Sequence, residues 1–295
     1  MEQTAIRTRG LTRRFGGDTV VDSLDLEVPT GCVCGFLGRN GAGKSTTIRM
    51  LMDLIRPSGG EASVLGMDPW AESVELKKRV GYVSDDPAMY GWMTVAETVW
   101  FAGSLYPRWD GGRVEGMLRD FGLDPDQKVK NLSRGMNAQL ALALALGHDP
   151  ELLILDEPAS GLDVVVRRDF LHSVIQLIQE EGRTVFLSSH LVHEIERVAD
   201  RVLIIDGGRK LVEGEIDEVK ASLKKVVVRV GEGVGLDGIE GVRAVEGAGA
   251  HRHLQVKGEV GAALERVKAA GAEVVDVLDL SLEDVFVAYV GVREG

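Results

Sequence analysis

Short unbroken apolar runs, separated by segments of helix-forming composition, set the plan of this chain. Cys32-Val33-Cys34-Gly35-Phe36-Leu37, Leu152-Leu153-Ile154-Leu155, Thr184-Val185-Phe186-Leu187 and Val202-Leu203-Ile204-Ile205 are such runs. A strand buried on both faces has no polar side to show, so each reads as a central strand of a parallel sheet. Glu61 to Leu65 and Val80 to Val83 read as further strands, and helices are expected at about 46–56, 165–181 and 191–199. Strands alternating with helices predict an α/β fold with a mostly parallel sheet. Ahead of it, Ile6 to Val28 reads as short β segments broken by turn residues such as Gly16-Gly17-Asp18, an antiparallel N-terminal subdomain.

Between about 87 and 147 the pattern changes to aromatics and helix formers. Thr94 to Phe101, Arg113 to Phe121 and Ser133 to Leu146 predict a helical insert. Leu140 to Leu146 alternates leucine with alanine as a strand might. Both are strong helix formers, and the run is apolar all round, so a buried helix is expected. Past about Val219 the composition turns to Gly, Val and Glu. Strand-like Val226 to Val230, Leu254 to Val256 and Val274 to Leu278 predict a small α+β domain. It also carries a helix at about 259–270 stopped by Gly271 and a last helix begun by Ser281 with Asp284 in capping position. The expected domains are 1–218 and 219–295.

Composition then narrows the function. The 295 residues suffice for one large α/β domain and a small appendage. A formal charge of −12 argues against nucleic acid as a partner, because phosphate backbones are bound by basic surfaces. The two cysteines, Cys32 and Cys34, fall on one face of a predicted strand, badly placed for a disulfide and too few for a metal. They read as small core residues of a reduced protein. No apolar run is long enough to span a bilayer and the N-terminus lacks a signal pattern, so a cytosolic chain is expected.

The chemistry starts at Gly38-Arg39-Asn40-Gly41-Ala42-Gly43-Lys44-Ser45-Thr46, which fits G-x-x-x-x-G-K-[ST] between a predicted strand and a predicted helix. Glycines let successive backbone N–H groups surround a phosphate, and the helix behind adds its positive end. Lys44 is the candidate for the β- and γ-phosphates and Ser45 for Mg²⁺, with Gly38, Asn40, Gly41, Ala42, Gly43 and Thr46 completing the cradle. At the end of the run Leu152 to Leu155, Asp156 is placed to hold Mg²⁺ and its waters. Glu157 is placed to orient or deprotonate the attacking water.

Leu132-Ser133-Arg134-Gly135-Met136, taken with Asp156-Glu157, Ser160-Gly161-Leu162-Asp163 and His190, resembles the nucleotide-binding subunits of ABC transporters. The resemblance covers roughly residues 4–215, with the motifs in the family's order and spacing. It implies an ATPase of the P-loop NTPase fold in its ABC form. It matches Phe15 to the aromatic that stacks on adenine, where the residue alone reads as a core phenylalanine. Ser133 and Gly135 match the signature residues that touch the γ-phosphate held by the opposite subunit. A serine capping the following helix would turn that helix's positive end to the phosphate. Asp163 matches the loop residue that couples two sites, and His190 the switch histidine at the γ-phosphate.

Two departures stand out. Asp85 occupies the place of the family's Mg²⁺- and water-sensing glutamine, which makes it a candidate Mg²⁺ residue with Ser45 and Asp156, and Arg134 and Met136 replace a glycine and the glutamine of the signature. The resemblance is to a divergent export-type branch. It implies two copies, or this chain and a paralogue, head to tail around two Mg-ATP, and separate transmembrane permease subunits at the inner face of the cell membrane. The C-terminal domain resembles the regulatory extension of some exporter ATPases. Rival readings are a soluble ABC-type ATPase acting on ribosomes or nucleic acid, and a non-hydrolysing nucleotide sensor. Net acidity opposes the first, as does the interval from Lys44 to Asp156, too short for a long coiled coil; intact Lys44 and Glu157 oppose the second.

Overall fold

The computed structural model describes residues 3–163, 166–168, 170–171, 174, 182–231, 234–236, 238–246 and 251–291. The N-terminal segment forms two strands, β1 (Thr4–Phe15) and β2 (Asp18–Pro29), paired antiparallel on either side of Gly16-Gly17. They are longer than the short segments expected, because irregular pairings near Thr8, Leu11 and Arg13 absorb the residues that break the alternation. Buried Thr8 is satisfied there: its hydroxyl donates to Leu24 O at 2.7 Å and accepts from Leu26 N at 3.1 Å. With β4 (Gly59–Val64) these strands make a sheet in the order β2-β1-β4.

The parallel sheet contains β3 (Val33–Gly38), β5 (Val80–Val83), β6 (Leu152–Asp156), β7 (Thr184–Ser189) and β8 (Arg201–Asp206), in the order β5-β6-β7-β3-β8. β3, β6 and β7 are buried at every position, the physical cause of their unbroken apolar sequences. Phe36 of β3 stacks on Phe186 of β7 with centroids 5.0 Å apart. Cys34 is buried in β3, while Cys32 precedes the strand and packs only partly buried against the same core. Because the paired strands run the same way, the segments after β3, β5, β6 and β7 emerge at one edge.

Helix α1 (Lys44–Leu51) starts within the glycine loop and stops earlier than Pro57 suggests, because Asp53 turns left-handed at φ 51°. α2 (Ser73–Lys77) is a short helix that the sequence pattern does not announce. The insert carries α3 (Val95–Gly103), α4 (Gly111–Asp120) and α5 (Arg134–Leu146), each begun by a side-chain cap. Thr94 and Glu97 form a reciprocal capping box, Asp110 accepts from Arg113 N, and Ser133 accepts from Met136 N at 3.2 Å. Leu140 to Leu146 is helical, as its alanine and leucine content dictates. The helix expected at 165–181 lies largely outside the described residues; α6 (Val192–Val198) follows β7.

The chain divides into two compact units, residues 1–210 and 211–295, with the division inside β9 (Arg209–Glu215). The second unit holds α7 (Ile216–Ala221), β10 (Leu223–Val230), β11 (Val242–Glu246), β12 (His251–Lys257), α8 (Val260–Ala269), β13 (Ala272–Asp279) and α9 (Leu282–Gly291). Its antiparallel sheet, ordered β11-β12-β10-β13, buries Val226, Val228, Leu254 and Val256 against Ala263 and Val267 of α8. Ser281 and Asp284 exchange hydrogen bonds at the start of α9. Among the described residues no helix is long and apolar enough to cross a membrane.

Candidate active site

The loop between β3 and α1 needs glycine for two reasons. Gly43 sits at φ 104°, and a Cβ there would lie 2.8 Å from Val20 O; one on Gly38 would lie 2.8 Å from Ile205 O. Gly43 also caps α1 without any side-chain acceptor, so the first N–H groups of that helix are left for an anion. Over the loop lies an open cavity of about 330 Å³, lined by residues 39–46 together with Val20, Asp85, Glu157, Ser160 and His190. Thus Asn40, Gly41, Ala42, Ser45 and Thr46 stand with Lys44 around one space.

Lys44 is only 5% exposed and its ammonium bends back over the loop, donating to Gly38 O at 2.7 Å and Arg39 O at 3.3 Å. It also pairs with Glu157 Oε1 at 3.1 Å, while Glu157 Oε2 is 2.7 Å from His190 Nδ1. Glu157 takes a left-handed backbone, φ 48°, which costs a non-glycine residue about 1–3 kcal/mol. Such strain persists only where neighbours over-determine it, and here Glu157 N donates to Ser188 Oγ at 2.9 Å.

Asp156 is buried at the end of β6, where Oδ1 accepts from Ser45 Oγ at 3.0 Å and from Ser188 Oγ at 2.8 Å. Burial raises its carboxyl above the ordinary range; the two hydroxyls oppose the rise and the charge of Glu157 adds to it. A carboxylate beside a hydroxyl, both hard oxygen donors, suits Mg²⁺. Among the described residues no group of three His, Cys, Asp or Glu side chains could hold a metal by itself. A cation held by Ser45 and Asp156 would take its other ligands from phosphate and water, as Mg²⁺ commonly does.

Residues 21–160 match the ABC transporter family. The chain is 38% identical over 224 residues to the bacitracin transport ATP-binding protein BcrA of Bacillus licheniformis, covering 75% of this chain and 73% of that protein. It is also 38% identical over 231 residues to the daunorubicin/doxorubicin resistance ATP-binding protein DrrA of Streptomyces peucetius, covering 77% and 70%. The solved structure of an ATP-binding subunit of an ABC transporter aligns with a TM-score of 0.67 at 25% identity, covering 74% of this chain and 92% of that one. The chain belongs to the ATP-binding subunits of ABC transporters. As a member of that family it binds ATP and is an ATPase.

In this ABC subunit the remaining motif residues do not line the phosphate cavity. Ser133 is exposed at the start of α5, and Gly135 is buried beside it, where a Cβ would lie 2.7 Å from Val166 Cγ1. Asp163 is exposed, and its Oδ1 accepts from Val166 N at 3.1 Å. Phe15 is 46% exposed, with the Arg13 guanidinium 4.4 Å over its ring, so it is a surface aromatic rather than a core residue. None of these four lines the cavity around Lys44. Asp85 does line it, and its carboxylate pairs with Arg134 at 3.6 Å.

Sequence reasoning missed Ser188. Its buried hydroxyl joins both acids, donating to Asp156 and accepting from Glu157 N. The available signal was the pair of serines that closes the apolar run of β7 just before His190. Ser188→Ala removes both bonds inside the core, so it should destabilise the chain by about 1–3 kcal/mol. A lowered urea midpoint at unchanged slope is the expected measurement.

Proposed function

We propose that this subunit works in a head-to-tail pair, two copies or this chain with a paralogue, that closes around two Mg-ATP and drives separate permease subunits for export. The observation that carries the reading is the division of the motif residues. Lys44, Ser45, Glu157 and His190 line one cavity, with Asp156 hydrogen-bonded to Ser45 at its edge, whereas Ser133, Gly135 and Asp163 do not line it. A signature at an exposed helix start has work to do only on a phosphate held by another subunit.

In each site Lys44 binds the β- and γ-phosphates, and Phe15 offers the adenine a stacking face. Ser45 and Asp156 would hold Mg²⁺, which supplies charge neutralisation on the phosphates. Glu157, fixed by Lys44 and His190, orients a water and takes its proton as the oxygen attacks the γ-phosphorus and the bond to ADP breaks. His190, Ser133 and Gly135 contact the γ-phosphate, and Asp163 links the two sites. ATP favours the closed pair because only that state makes the contacts across the interface, and hydrolysis removes them.

The helical insert bears exposed aromatics after the Asp85 loop: Tyr90 and Trp92, with ring centroids 5.7 Å apart, and Trp100 on α3. Such a patch is costly to leave in water and supports this face as the contact with the permease at the cytoplasmic side of the membrane. Export is supported by the relatives named for bacitracin transport and for daunorubicin/doxorubicin resistance.

Light scattering of Glu157→Gln with and without Mg-ATP tests the pair. An ATP-dependent dimer is expected; a chain that binds ATP and stays monomeric assigns the second half to a different subunit.

A further inference from the structure

We propose that Asp85 and Arg134, two of the three residues at which this chain leaves its family's usual pattern, act as one positioning pair. Asp85 follows β5 and lines the phosphate cavity, while Arg134 opens α5 between Ser133 and Gly135. Their side chains meet, with Arg134 Nη2 3.6 Å from Asp85 Oδ1. The same guanidinium lies across Gly161, where any side chain at that position would run into it. Gly135 packs on the neighbouring part of that loop, against Val166 and Leu162. Arg134 is thus the point at which three segments meet: the loop after β5, the start of α5, and the loop that runs from Glu157 to Asp163.

Each substitution is physically costly alone. A carboxylate at position 85 adds negative charge to a cavity that already carries Asp156 and Glu157 and must admit a triphosphate. An arginine at 134 without a carboxylate opposite would be free to fall away from the α5 start. Together they are neutral and span a gap that glycine could not. Both side chains are about half exposed, 57% for Arg134 and 49% for Asp85, so the contact is worth no more than a surface pair. It can shift the placement of Ser133 and Gly135 only by its own small energy, a few-fold in population. This role rests on the reading that Ser133 and Gly135 act on ATP held by another subunit.

A double-mutant cycle on the full chain tests it, with Asp85→Gln, Arg134→Gly and the combined variant, following kcat and KM for ATP at low and high salt. Arg134→Gln runs in parallel as a single change that keeps helix propensity. Each single variant should lose about two- to five-fold in kcat at low salt with KM little changed. The combined variant should lose no more than the worse single, and its kcat should respond to salt less than that of the wild type. Losses that multiply in the combined variant, or an equal salt response, overturn the pair while leaving the two-subunit reading intact. A wild type that hydrolyses no ATP overturns the ATPase mechanism, and the pair with it.

Discussion

Glu157→Gln is expected to turn over ATP about 10²–10⁴-fold more slowly than the wild type, the range for losing a general base, while binding ATP at least as well. The amide keeps the shape of the carboxyl and can still meet His190, now 2.7 Å from Oε2, but it cannot accept the water's proton. It also ends the ion pair with Lys44, which stands at 3.1 Å between two side chains that are 5% and 13% exposed. The ammonium keeps its bonds to Gly38 O and Arg39 O and then has only phosphate to answer its charge, so affinity should hold or rise. Phosphate release gives the first quantity and titration with a fluorescent ATP analogue the second. A fall in kcat without loss of binding marks an interaction made in the transition state alone. A variant that keeps more than about a tenth of wild-type turnover has not lost a general base, and the role would pass to another group at the cavity, His190 first.

What could be read from the sequence follows from how far each signal reaches. The glycine loop, Asp156 and Glu157 were legible because a phosphate cradle and a strand-ending carboxylate are local patterns. The strands buried on both faces were legible for the same reason, and α5 because alanine and leucine decide a helix even when they alternate. The end of α1 was misjudged: Pro57 and the glycines after it look like the stop, but left-handed Asp53 ends the helix first, and nothing in its neighbours' composition announces that. β9, with charges at both ends of a short apolar stretch, carries too weak a pattern to be seen as a strand. Phe15 reads as core from its type alone, and only its place at the end of β1 exposes it. Ser188 was invisible as a functional residue because its importance lies in two neighbours, Asp156 and Glu157, delivered by the adjacent strand. Asp85 and Arg134 looked like two unrelated departures for the same reason: their contact is created by the packing of α5 near β5, which no local window contains.

Asp156→Asn should separate the cost of the acid from its use. Without nucleotide the variant should be at least as stable as the wild type, and it should lose the stabilisation that Mg-ATP gives. The sign follows from the raised carboxyl. A group whose folded pKa lies above its ordinary value, here 3.8, contributes stability below that value and loses it as the pH rises through the folded pKa. At neutral pH the buried charge of Asp156 therefore burdens the empty protein, and its cause is desolvation, with the charge of Glu157 adding to it. Asparagine lifts that burden and can still accept from Ser45 and Ser188 through its carbonyl oxygen. The advantage of the variant in thermal melts without nucleotide should accordingly grow as the pH rises above 3.8 and through the folded pKa. With ligand present the order reverses. A ligand at one hundred times its Kd stabilises the chain that binds it by about 2.7 kcal/mol, and only the wild type should show such a gain with Mg-ATP. Wild type treated with a chelator should then melt with ATP much as the variant does, because both would lack the cation proposed for this carboxylate. If the variant melts lower than the wild type at neutral pH and still gains from Mg-ATP, the carboxylate is a structural acceptor for Ser45 and Ser188, and the cation is held elsewhere.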